Sequence, residues 1–166
     1  IEADRIRLVQ GAGELSATKG VRTIFLQVQK DSEPELTVTD AETFLYRSKD
    51  EKLRYEGEVA MRSKAVTLKG RTVDVLLAPG GREVREVLAE GEVTVETPEG
   101  TAAGDYAKYL PEQKSMTVQG ESARLENPGK LTEGKQLTFF LRDDRILVDG
   151  REQTRTKTTY SSKPRL

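Results

Sequence analysis

The sequence predicts an all-β fold built from about five stacked two-strand repeats. Three observations carry that reading. Apolar and polar residues alternate in short runs along most of the chain, the period of a half-buried strand. A glycine recurs in the second run of each repeat, at Gly20, Gly57, Gly91, Gly120 and Gly150. Its intervals, about 29 to 37 residues, are the length at which one supersecondary unit is copied and stacked. Finally, only 35% of the 166 residues are hydrophobic and 5% aromatic, while 33% are charged. That suits a thin structure whose strands each show one face to water.

The elements follow in order. The first repeat runs from Asp4 to Leu8, turns at Gln10-Gly11-Ala12-Gly13 and returns through Leu15 to Gly20. The second starts near Leu36, passes Phe44 and Tyr46, turns at Ser48-Lys49-Asp50-Glu51 and returns from Lys52 to Met61. The third runs from Thr72 to Leu77, turns at Pro79-Gly80-Gly81 and returns through Val87, Gly91 and Val95. The fourth pairs Gly104 to Tyr109 with Met116 to Gly120 across Pro111-Glu112-Gln113. The fifth pairs Gly134 to Phe139 with Ile146 to Gly150 across Arg142-Asp143-Asp144-Arg145. Arg82 to Leu88 has helix-like spacing but reads as strand or loop, because its neighbours place a strand there. Gln29 to Glu35 reads as a long surface loop, and Asp4, Asp40 and Asp105 as strand-start or turn residues. Residues 1–153 form one repeat-built domain. Residues 154–166 are a polar, basic C-terminal edge strand or a disordered tail. The glycines fall on the apolar parity, where a strand glycine marks a bend or close approach, so every repeat should bend alike.

Composition narrows function. Net charge is −1, from 27 basic and 28 acidic residues, so no global field draws the chain to nucleic acid. With no His and no Cys, the common nucleophile–base pairs and zinc sites cannot be built. Asp143-Asp144 reads as a solvated turn, and Gln10 to Gly13 lacks the later glycine and helix of a phosphate loop. The expectation is a protein that is not an enzyme, with no metal and no cofactor. No apolar run approaches the roughly 20 residues of a membrane-spanning helix. The chain opens inside an alternating run, so a targeting or anchoring segment is expected to precede it.

What remains is the apolar parity. Leu53, Tyr55, Val59, Met61, Val75, Val93, Val95, Tyr109, Met116, Val118, Leu137, Phe139, Ile146 and Val148 share it across successive repeats. They are either a closed core or the lining of a binding trough, in which Met adapts to irregular ligands.

The pattern Gly91-Glu92-Val93-Thr94-Val95, then Gly104-Asp105-Tyr106-Ala107-Lys108-Tyr109, then Met116-Thr117-Val118-Gln119-Gly120 resembles the organic-solvent-tolerance-like (OstA, LptA-type) domain of the lipopolysaccharide transport proteins. The likeness spans essentially the whole chain and leaves the A, C and D members open. It implies an open β-jelly roll shaped like a taco, and a periplasmic bridge in outer-membrane biogenesis. Lipopolysaccharide would slide along a shared apolar groove, and related β-jelly-roll domains, or copies of this one, would join end to end. No catalytic residues carry over. Lys and Arg at the rim would meet head-group phosphates. The rival expectation is a structural β-repeat scaffold with a closed core and no lipid.

Overall fold

A computed structural model describes residues 1–27, 35–81, 83–140, 145–149 and 157–160. The alternating runs become strands β1 (Arg5–Val9), β2 (Glu14–Gln27), β3 (Glu35–Arg47), β4 (Lys52–Arg62), β5 (Thr67–Leu77), β6 (Val84–Thr97), β7 (Gly100–Leu110), β8 (Ser115–Asn127), β9 (Lys130–Phe140), β10 (Arg145–Asp149) and β11 (Lys157–Tyr160). Each strand from β1 to β10 pairs antiparallel with the next, giving one open sheet, a β-jelly roll that does not close into a barrel. The five repeats are the hairpins β1/β2, β3/β4, β5/β6, β7/β8 and β9/β10. β10 and β11 share the free side of β9, one against each half of it. Val84 to Leu88 is strand, against its helix-like spacing. Packing against the neighbouring strands β5 and β7 outweighs local propensity there.

The register slips at one height along the sheet. Lys19-Gly20 of β2, Gly57-Glu58 of β4 and Gly91-Glu92 of β6 each insert two residues opposite one, namely Glu42, Arg71 and Asp105. In β8, Gly120-Glu121-Ser122 stand opposite Lys135 alone. Such bulges bend a sheet and raise its twist. Aligned in alternate strands, they crease the sheet into two walls. The first wall holds the halves beside β1 and β10, and the second holds the halves ending at β11.

The crease corrects the sequence reading of the glycines. Gly20, Gly57 and Gly91 do sit at the bend, with φ of +62°, +81° and +81°, in the left-handed region that L side chains avoid. They do not face the apolar side, however. A Cβ on Gly57 would come within 2.6 Å of the exposed Glu42 side chain, and one on Gly91 within 3.0 Å of the exposed Arg71 side chain. The left-handed pair breaks the period of two, so parity counted through it fails. Gly120 has no left-handed φ. A Cβ there would approach Asp105 at 2.9 Å from Oδ2 and 3.1 Å from the backbone nitrogen. Gly150 lies outside the described residues, as do Asp143-Asp144 and residues 29–34 of the expected loop; Glu35 opens β3.

Inside the crease, side chains form cross-strand rows. One row of the first wall is Ala17, Phe44, Tyr55, Val73, Ala89, Ala107, Val118 and Leu137, all buried. Facing it, a row of the second wall runs Thr23, Thr39, Met61, Leu68, Val95, Ala102, Leu125 and Thr132. The outer faces carry the charge. Asp40 is not a turn residue but stands mid-strand in β3, accepting from Arg22 Nε at 2.7 Å and Arg62 Nη1 at 2.5 Å. Lys52–Asp74, Lys69–Glu96 and Lys108–Glu86 bridge neighbouring strands in the same way. Asp105 is mid-strand too; its carboxylate accepts from the Glu121 backbone N–H at 3.2 Å.

Candidate functional site

The two walls do not meet everywhere. Between them, toward the β1 side and at the lips away from the crease, lies a cavity of about 300 Å³. That is the lower end of the range for small-molecule sites. From the first wall, Leu53, Tyr55, Val75, Val87, Tyr109 and Met116 reach it. From the second come Phe25, Thr37, Thr39, Met61 and Leu68. Its rim is made by Glu35, by Ser63, Ala65 and Val66 of the β4–β5 turn, and by Pro111 and Lys114 of the β7–β8 turn.

A polar link crosses the interior. The Tyr55 hydroxyl on the first wall is 2.9 Å from Thr23 Oγ1 on the second. The Tyr55 ring packs against Phe44 in a tilted pair, with centroids 5.1 Å apart and planes at 48°. Burial pushes the Tyr55 phenol up from its ordinary value, partly offset by hydrogen bonding with Thr23 and Thr39. Burial likewise raises Tyr109, and the Glu35 carboxylate adds to it, which puts Glu35 within electrostatic reach of the opposite wall. Both phenols stay neutral around pH 7.

The residues singled out by sequence divide in two. Leu53, Tyr55, Met61, Val75, Tyr109 and Met116 line the cavity. Val59, Val93, Val95, Val118 and Leu137 are buried in the closely packed interior, and Phe139 is half-buried against it. Ile146 and Val148 pair through their backbones with Phe139 and Leu137, and their side chains lie outside the described part. Sequence reasoning missed Phe25, Thr37, Thr39, Leu68, Val84 and Val87. Val21, Thr23 and Phe25 do alternate, but Ile24 and Leu26 between them are also apolar, and this hid the strand.

At the β1 end no described residue caps the interior. Ile6 pairs with Ala17 and Leu8 with Leu15, which places them on the inner side, yet they are 51% and 61% exposed. Beyond the single bridge from Glu2 to Arg22, the β2 edge from Thr23 onward has no neighbour among the described residues.

A creased, open antiparallel sheet with an apolar interior and an exposed apolar β1 edge defines the class. Residues 38–145 match the family profile of the LptA/(LptD N-terminal domain) LPS transport proteins, and the chain belongs to that family. Among solved structures it is similar to LptH of Pseudomonas aeruginosa, described as the LptA-homologous periplasmic component of the conserved lipopolysaccharide transport device. The TM-score is 0.65 at 17% identity, covering 77% of this chain and 95% of that one. At that identity the likeness is one of fold. No curated protein sequence matches the chain.

Proposed function

We propose that this chain is a periplasmic, non-enzymatic carrier and bridge domain, which binds lipopolysaccharide acyl chains between its two walls and passes them toward the outer membrane. The observation that carries the proposal is the apolar cavity between the walls, continuous in sidedness with the uncapped Ile6 and Leu8. Burying a methylene is worth about 0.8 kcal/mol, so one seated chain offers several kcal/mol before ordering costs. Family membership supports the transport role.

A photo-crosslinking residue at Met116 should capture supplied lipopolysaccharide, and one at the outward Thr117 should not. Crosslinks confined to Thr117 and Thr138 would refute an interior site. The sheet's edges support end-to-end pairing with related domains or with itself, since unpaired strand edges recruit other strands. The closed-scaffold alternative draws on the tightly buried residues Val93, Val95, Val118 and Leu137. A fluorescent fatty acid that fails to bind would favour it.

A further inference from the structure

The cavity's size and the charges on its rim specify a ligand more narrowly than an apolar interior does. An apolar cavity of about 150 Å³ seats one benzene. The roughly 300 Å³ here therefore holds on the order of a dozen carbon atoms, the length of one acyl chain. A second chain would have to lie outside this half-open space or part the walls.

The rim adds a head-group argument. Glu35 stands at the start of β3 on the second wall, and Lys114 ends the β7–β8 turn on the first. Lys114 is fixed there by its backbone, with φ of +46° and its N–H donating to the Pro111 carbonyl at 3.1 Å. Neither side chain has an ion-pair partner among the described residues, and the two do not bridge each other. The other rim residues, Ser63, Ala65, Val66 and Pro111, are uncharged. Among the described residues that line it, the mouth thus presents one cation and one anion from opposite walls, above a single-chain cavity. A purely anionic head would meet Lys114 but be repelled by Glu35. A head with both phosphate and amine satisfies both, through charge-assisted hydrogen bonds.

We propose that the cavity binds a single-chain zwitterionic phospholipid, its acyl chain between the walls, its phosphate at Lys114 and its ammonium at Glu35. The proposal rests on the reading that the interior takes acyl chains. Calorimetric titration with dodecanoyl lysophosphatidylethanolamine, dodecanoyl lysophosphatidic acid and dodecanol, each below its micelle concentration, tests it. One lipid per chain is expected, with the ethanolamine lipid about threefold tighter than the phosphatidic acid, the scale of an exposed ion pair. Glu35→Gln should abolish that preference. Lys114→Gln should weaken both phospholipids by a similar factor and leave dodecanol unchanged. Both variants should melt like the parent, since their side chains lie on the rim. Equal affinity for all three ligands, more than one lipid per chain, or insensitivity to both substitutions would overturn the assignment. So would failure of every single-chain ligand while lipopolysaccharide still crosslinks at Met116, a result that leaves the carrier reading intact. Failure of both kinds of lipid would remove both.

Discussion

Glu42, Arg71 and Asp105 each lie over the glycine of the following strand, at Gly57, Gly91 and Gly120. The glycines are required by two different constraints, and substitution can separate them. At Gly57 the backbone is left-handed, with φ of +81°. Gly57→Ala should cost about 1–2 kcal/mol from that conformation. At Gly120 the constraint is space, because the Asp105 backbone would stand 3.1 Å from a new Cβ and cannot swing away. Gly120→Val should cost about 1–3 kcal/mol. Gly11 has no left-handed φ and nothing within 4 Å of its would-be Cβ, so Gly11→Ala should be neutral within about 0.5 kcal/mol. Urea denaturation of the three variants checks this; equal losses at Gly57 and Gly11 would remove the backbone argument. Asp40 offers a charge test. Hydrogen bonds from Arg22 and Arg62 hold its carboxyl below the usual range. A depressed carboxyl contributes stability above its unfolded value, near 4, and loses it as pH falls through the folded value. Asp40→Asn should therefore melt lower than the parent at pH 7, by no more than about 1 kcal/mol. The gap should close in acid.

At the scale of the strand, the sequence was legible wherever the period of two ran unbroken. Leu53 and Tyr55, Val73 to Leu77, and Met116 and Val118 alternate cleanly, and their hairpins are where the turns Ser48 to Glu51 and Pro111 to Lys114 put them. The bulges were not legible as such. A recurrent glycine signals a bend, but whether its missing side chain faces the interior depends on dihedrals that residue type does not fix. For the same reason the sequence pattern ends β2 at Gly20 whereas the strand continues to Gln27, and the part of the cavity built by Phe25 is hidden with it. The edge strand β1 has its own test. Ile6 and Leu8 are exposed on the inner side, so charges there cost little stability but oppose strand recruitment. Ile6→Lys with Leu8→Lys should abolish concentration-dependent association in light scattering while leaving the melting temperature within a few degrees. Association unchanged in that double variant would place the contact elsewhere.

The whole molecule is nearly one-dimensional. Each long strand crosses both walls, and from β1 to β8 each pairs only with its neighbours in sequence; β9 alone among the described strands takes a further partner, β11. Stability in such an array is a sum of unit and nearest-neighbour terms, so it should vary along the stack and hardly at all between the walls. Neither wall can unfold by itself, because opening the first wall of β6 (Val87 and Ala89) pulls on the same strand that carries Val93 and Val95 in the second. The centre also has the most to lose. Val73, Ala89, Val93, Ala107 and Val118 are almost wholly buried, whereas β1 has five residues, none of them buried, and among the described residues a neighbour strand on one side only. Native-state hydrogen exchange should show this as a gradient. Protection should be highest in β5 to β8, equal at Val75 of the first wall and Leu68 of the second, and lowest in β1. A lipid seated across the cavity touches both walls from β2 to β8, so adding it should raise protection in those strands together and leave β1 unchanged. Protection that split by wall, with Val75 exchanging far more slowly than Leu68, would mean that the crease is a hinge between two separately stable sheets.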